Sequence, residues 1–414
     1  MRATLAWSKP RGPSDPPFWP VASAASSTDD CTGPTLRTPS RWRPGKRWDR
    51  LHFVIYTIVG ARPNFMKAAP VHGAFERAKI PHALVHTGQH FDEVMSRVFF
   101  EDLGMPRPIV DLGVGSGTHA EQTGAVMLGL ERFFNTQRPR AVLVVGDVNS
   151  TMAAAIVCAK MGIYCAHIEA GLRSGDWSMP EEVNRVVTDS IVDLLLTPSP
   201  DADRNLLAEG CAPDTIVRVG NVMIDTLLAH LPRAQALDVP ARFGVRPREY
   251  AVLTLHRPSN VDEPATLERV LRAVVELASR LPVVFPVHPR TRKQILASGL
   301  RTELGSTQGL VLCDPLGYLE FLSLSSRARL VLTDSGGLQE ESTALGIPCL
   351  TLRENTERPI TIEEGTNVLV GTNPHRIEEE ATRALGAARK GRIPLLWDGH
   401  TADRIVAAVA ARIS

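Results

Sequence analysis

Residues 330–346 read LVLTDSGGLQEESTALG, and the change of pattern inside this stretch decides the fold. Leu330 to Thr333 is a short apolar run with β-branched members, which predicts a buried strand. It stops at Asp334, Ser335, Gly336 and Gly337, and a helical pattern follows. Two glycines at a strand-to-helix turn let backbone N–H groups approach an anion, and the start of the helix adds the positive end of its dipole. A phosphate suits such a turn, and Glu341, about one turn further in, is placed to accept hydrogen bonds from ribose hydroxyls. The same residues also fit an ordinary βα turn with glycines for packing. Neither GxGxxG nor GxxxxGK[ST] is present, so the dinucleotide fingerprint and the P-loop are both excluded.

Outward from this turn, strands and helices alternate along the chain. Strands are expected at Phe53–Val59, His82–Thr87, Ala141–Val145, Tyr164–Ile168, Leu194–Thr197 and Thr215–Val219. A second series follows at Ala251–Leu255, Val283–Val287, Leu310–Cys313, Leu330–Thr333, Cys349–Leu352 and Val368–Val370. The patterns between them predict helices, among them Pro63–Lys79, Phe91–Leu103, Pro180–Val192 and Val222–His230. Such alternation requires parallel pairing with helices on both faces, an α/β protein. The pattern breaks near Gly220, and Pro232 to Arg248 reads as a less ordered crossing between domains. The expected division is residues 51–221 as one Rossmann-like doubly wound domain, completed by a C-terminal helix within 398–414, and 222–397 as another, facing it across a cleft.

The chain has 414 residues, enough for two cores. Its 46 Lys and Arg nearly balance 45 Asp and Glu, so no net field points to nucleic acid or an anionic membrane. No apolar run approaches the ~18 residues of a membrane helix. The six cysteines are scattered without CxxC or zinc spacing, which predicts buried thiols, a reducing cytoplasm and no metal. Residues 1–50 are rich in Pro, Ser, Arg and Trp without structural period. They read as a disordered extension or the product of an upstream start codon, with a targeting peptide as the alternative.

Open parallel sheets bind ligands beyond the carboxyl ends of their strands, and six polar residues stand there in this sequence. They are Arg62, Asp147 and Glu169 in the first half, and His256, His288 and Ser335 in the second. Any one of them could merely end a strand in water; together they outline one cleft. Arg62 and Lys67 bring two cations to the start of a helix, as a diphosphate would require, although Lys67 also fits a solvated surface. Carboxylates that converge in such a cleft can exchange protons with a substrate. Glu181 could instead be a residue favoured by the helix dipole, a role Glu182 fits better, and Asp147 could be a helix cap.

With these residues in place, the chain resembles the non-hydrolysing UDP-N-acetylglucosamine 2-epimerases. The likeness runs from about Phe53 to Ile413 through GARPNFMKAAP, TGQH, GDVNST, HIEAGLRSGDWSMPEEVNR, VGNVMID, LHRPSN, FPVHP, TDSGGLQEES and ENTERPIT. It implies two Rossmann-like domains in the GT-B arrangement, a homodimer, and no metal or nicotinamide cofactor. It also implies inversion at C2 of UDP-GlcNAc to give UDP-ManNAc, by elimination of UDP and re-addition through 2-acetamidoglucal. Asp147, Glu169 and Glu181 match the family's catalytic carboxylates, and His256 a histidine near the leaving phosphate. Arg62, Lys67, Ser335, Gly336, Gly337, Glu341 and Arg358 match nucleotide-sugar contacts, and Leu316 and Phe321 match the positions that hold uracil. Two departures stand out: His256-Arg257-Pro258-Ser259 replaces HRRE, and Pro63-Asn64 replaces PE. Gln89, Arg257 and His288 match positions tied in some members to a regulatory substrate site. The competing readings are a hydrolysing relative, a glycosyltransferase and a silent UDP-sugar sensor.

Overall fold

The structure, a computed structural model, describes residues 54–88, 104–386 and 391–413. The expected helix over Phe91–Leu103, residue Gln89, Cys31 and the N-terminal extension lie outside them.

Thirteen strands among the described residues form two wholly parallel sheets. The first contains β1 (Ile55–Val59), β2 (His82–His86), β3 (Val110–Asp111), β4 (Ala141–Val145), β5 (Tyr164–Ile168), β6 (Leu194–Thr197) and β7 (Ile216–Arg218), in the order 3-2-1-4-5-6-7. The second contains β8 (Ala251–Thr254), β9 (Val283–Pro286), β10 (Leu310–Cys313), β11 (Leu330–Thr333), β12 (Cys349–Thr351) and β13 (Asn367–Leu369), in the order 10-9-8-11-12-13. Each order reverses once, between β1 and β4 and between β8 and β11. These reversals open the crevices in which doubly wound folds take ligands.

Side-chain alternation divides each sheet between two cores. In the first sheet, Tyr56, Val142 and Val144 pack under the helices His119–Thr136 and Asn149–Met161. Ile55, Leu143 and Ala166 pack on the opposite face, under Arg62–Arg77 and Thr401–Ile413. In the second, Leu253, Phe285 and Leu332 face the helix Pro264–Ala278, while Val252, Val284 and Val331 face away from it. Each fully buried Val, Leu, Ile or Phe contributes about 1.5–3 kcal/mol, so the central strands anchor both halves. Among the described residues no helix is long and apolar enough to cross a membrane. Five cysteines are free thiols, and Cys158, Cys165 and Cys349 are buried.

The structure differs from expectation in two places. The segment beginning at Pro232 is not a loose crossing, because the helix Val222–Ala236 runs through it and a short helix, Val239–Arg242, follows. Pro232 lies exposed within this helix. The first turns are buried all round, from Val222 to Leu227, and Ala234 is buried near the end. This helix joins the halves. Met223 packs with Phe65 and Met66 of the first half, and Ile224 and Leu227 pack with Leu322 of the second. The other difference is β3, an edge strand of two residues for which the sequence raises no expectation, with no apolar run to announce it.

Candidate active site

The first reversal point is pinned by Asn64. Its Oδ1 accepts the Gly60 and Ala61 N–H groups at 3.1 Å each, and its Nδ2 donates to the Val145 carbonyl at 2.9 Å. The side chain thus ties the turn after β1 to the end of β4, which accounts for asparagine after Pro63. One turn further along, buried Lys67 makes an ion pair with Glu169 at the end of β5. Glu169 has φ +71°, a left-handed conformation costly for a side-chain-bearing residue and characteristic of functional sites. Gly146 has φ +69°, and an added Cβ would lie 3.1 Å from Lys67 Nζ.

Asp147 is not the cap of the helix that follows, since Val148 holds that position and supplies no side-chain bond. Asp147 instead pairs with buried Arg185, whose Nη2 also holds Glu182 at 2.7 Å. Glu182 does more than answer a helix dipole. Its carboxylate accepts the Ser174 and Gly175 N–H groups at 2.8–3.1 Å and fixes the loop between β5 and the helix Pro180–Ile191. Glu181 is exposed at the start of that helix, with no hydrogen bond or ion pair to the described residues around it. The start of the Arg62–Arg77 helix borders the same crevice.

At the second reversal point, His256 Nδ1 stands 2.8 Å from buried Asp334 Oδ1. The other Asp334 oxygen accepts the His256 and Arg257 N–H groups at 2.9 Å each. Burial alone would raise the Asp334 carboxyl, but His256 and the two amides hold it below its ordinary value. The His288 ring centre lies 5.9 Å from that of His256. Ser335 precedes the helix Gly336–Ala344 and leaves its hydroxyl out of any capping bond.

The two glycines have different duties. A Cβ on Gly336 would lie 2.7 Å from Arg358 Nη1 and 3.1 Å from Glu357 Oε1, so this glycine admits a guanidinium. A Cβ on Gly337 would meet nothing closer than Met223 Cε at 4.0 Å. Arg358 is buried and ion-paired with Glu340 and Glu357 at 2.8 Å each. Burial would lower its proton affinity; Glu340, Glu357, Glu169 and Asp147 together raise it instead. Two of those carboxylates belong to the first sheet, so Arg358 senses both strand ends across the cleft. Glu340 is pushed upward by burial, then pulled down by Arg358, raised by Glu169 and lowered by Lys67. Glu341 is pushed up to about 8 by burial and by Glu340, against a bond to the Tyr318 hydroxyl. The Lys67–Glu169 pair of the first sheet thus lies within electrostatic reach of the Arg358–Glu340 pair of the second, and the two make up one charged group.

This group lies inside the span matched by the family model for UDP-N-acetylglucosamine 2-epimerase, residues 74–410, apart from Lys67 just before it. The chain is 42% identical over 354 residues to the UDP-N-acetylglucosamine 2-epimerase of Methanocaldococcus jannaschii, covering 84% of this chain and 96% of that one. The chain belongs to the UDP-N-acetylglucosamine 2-epimerase family. It is equally similar, at 42% over 356 residues, to the UDP-2,3-diacetamido-2,3-dideoxy-D-glucuronate 2-epimerase of Pseudomonas aeruginosa, covering 85% and 98%. The crystal structure of the M. jannaschii enzyme in complex with UDP-GlcNAc and UDP matches with a TM-score of 0.80 at 40% identity, over 86% of this chain and 99% of that chain. Two Rossmann-like halves in the GT-B arrangement thus describe this epimerase-family fold.

The remaining candidates sit on the nucleotide side. Leu316 and Phe321 are half-buried against the core behind β8, β9 and β11, with Phe321 on the helix Tyr318–Ser325. Among the described residues no cluster of His, Cys, Asp and Glu could hold a metal. Sequence reasoning missed Asn64, Arg185, Asp334 and Glu340. Arg185 closes the PEEVNR motif three residues after Glu182, a spacing that puts both on one helix face and could have exposed it. Asn64, Asp334 and Glu340 carried no such signal, because their partners come from other strands and loops.

Proposed function

We propose that this protein interconverts UDP-GlcNAc and UDP-ManNAc by removing the C2 proton, expelling UDP to leave 2-acetamidoglucal, and returning UDP with the proton on the other face. The observation that carries the reading is that Asp147 and Glu169 of the first sheet lie near enough to Arg358 of the second to act on its charge, as Glu169 does on Glu340. Proton-transfer groups and a diphosphate-binding cation then share one space. In this reading Asp147, Glu169 and Glu181 handle protons, with Glu181 reaching the sugar from its exposed helix start. His256 serves the departing phosphate. Arg62, Lys67, Ser335, Gly336, Gly337, His288 and Arg358 hold the diphosphate and sugar, Glu341 the ribose, and Leu316 and Phe321 the uracil. Residues 51–221 with 398–414 form the carboxylate-bearing domain and 222–397 the nucleotide-binding domain. We take the enzyme to be a cytoplasmic homodimer that supplies surface-polysaccharide precursors without metal or cofactor.

Incubation with UDP-GlcNAc in heavy water tests the reaction: deuterium at C2 and UDP-ManNAc are expected. No exchange, or steady release of UDP with free sugar, overturns it. A second reading shares the chemistry but changes the sugar to a UDP-linked 2,3-diacetamido glucuronate. Arg257, Arg353 and Arg358 converge on Glu357, which pairs with them at 3.3, 2.7 and 2.8 Å. That surplus of cations suits a sugar carboxylate in addition to the diphosphate. Faster C2 exchange with the glucuronate than with UDP-GlcNAc would select it.

A further inference from the structure

The strand ends that carry Asp147 and Glu169 are joined by a side chain that no step above uses. His167 of β5 is wholly buried. Its Nδ1 lies 2.6 Å from Asp189 Oδ1 and its Nε2 lies 2.8 Å from the Gly146 carbonyl oxygen. A carbonyl can only accept. Burial would raise the Asp189 carboxyl, but His167, Arg173 and the Gly171 N–H hold it below its ordinary range, so it is ionised and also only accepts. Both ring nitrogens therefore face acceptors, and each contact is a hydrogen bond when that nitrogen carries its proton. Arg173 Nη1 also donates to Asp189 at 2.7 Å, while its other nitrogens reach the partly exposed Glu209 at 2.6–2.7 Å, so the buried Asp189 is held from two sides.

The bond to Gly146 falls on the peptide linking Gly146 to Asp147. In return, the Gly146 N–H donates at 3.1 Å to the Ile168 carbonyl, on the peptide linking Ile168 to Glu169. The peptides that launch the two carboxylates are thus clipped together. Glu169 holds a left-handed φ, which a residue with a side chain keeps only where the surroundings enforce it, while glycine at 146 takes the same region without cost.

We propose that His167 is a positioning residue: donating from both ring nitrogens, it braces the Gly146–Asp147 peptide against Asp189 and so sets the spacing of Asp147 and Glu169. The inference rests on the epimerase reading, which gives those carboxylates their task. A displacement of about 1 Å at reacting groups costs on the order of a hundredfold in rate.

Histidine-ring nitrogen NMR of the wild-type protein at pH 8 tests the brace directly. Two ring N–H protons, absent from H167Q, are expected at His167; a single one overturns the proposal. Kinetics test the consequence. In H167Q the amide can still donate to Gly146, but its carbonyl then faces the Asp189 carboxylate. H167Q should lower kcat for C2 exchange tenfold or more, with the Kd for UDP within twofold of wild type. H167Q/D189N, in which the amide introduced at position 189 can donate to the glutamine carbonyl, should recover most of that loss. Wild-type kcat in H167Q, or no recovery in the double variant, overturns the role. If wild type itself exchanges no deuterium, the epimerase reading fails, and the NMR result still decides the brace.

Discussion

Replacing Gly336 by alanine should displace Arg358 by a distance that the packing around the glycine sets. The new methyl would sit 2.7 Å from Arg358 Nη1, whereas ordinary contact begins at 3.4 Å, so the guanidinium must retreat by about 0.7 Å, the difference of the two. Gly336 has no positive φ, so alanine brings no backbone strain. Because the clashing group ends a flexible side chain, the folding cost should fall at the low end of overpacking, about 1 kcal/mol. Function should suffer more. Arg358 is ion-paired through Nε and Nη1 with two buried carboxylates and lies within electrostatic reach of both strand ends of the first sheet. It cannot move without turning away from the place a diphosphate would occupy. Gly337→Ala is the internal control, since its methyl meets no protein atom within ordinary contact other than Met223 Cε at 4.0 Å. Thermal melting and C2 exchange kinetics would be measured on both variants. Gly336→Ala should melt a few degrees lower and lose ten- to a hundredfold in kcat/KM. Gly337→Ala should keep the wild-type melting temperature and raise only KM, where a phosphate approaches its backbone. Wild-type kinetics in Gly336→Ala would refute the reasoning.

Two further outcomes are expected. Burial pushes Glu341 up to about 8 from an ordinary 4.5, so below about 4.5 folded and unfolded chains both carry the proton. As pH rises from there toward 8 the unfolded chain ionises first, and this contribution to stability is lost; Glu341→Gln should flatten the fall in Tm across that window, and an unchanged slope would count against the buried neutral acid. Asp225 accepts the Thr401 and Ala402 N–H groups at 3.1 and 2.7 Å, capping the final helix from the middle of the chain. Asp225→Ala should cost about 1–2 kcal/mol with kcat per folded molecule unchanged, a prediction that calorimetry and active-site titration together would check.

Sequence alone determined the layered plan. Runs such as Ala141–Val145 and Leu330–Thr333 are apolar throughout because parallel strands are covered on both faces, and the strands begin and end where the apolar runs do. It also put Asp147, Glu169, His256 and Ser335 at strand ends, since a parallel βα unit delivers the residue after each strand to the same rim. Tertiary structure decided what those residues touch. Asp147 faces Arg185 rather than its own helix; Gly336 makes room for a guanidinium; His167, an ordinary strand residue in the sequence, bonds the turn beside it. The helix through Pro232 was illegible because local propensity argues against it, and the apolar contacts that outweigh that propensity come from both halves of the chain. Period and propensity act within a few residues and are written in order along the chain. A buried charge must find its partner wherever folding brings one, and that pairing has no local signature.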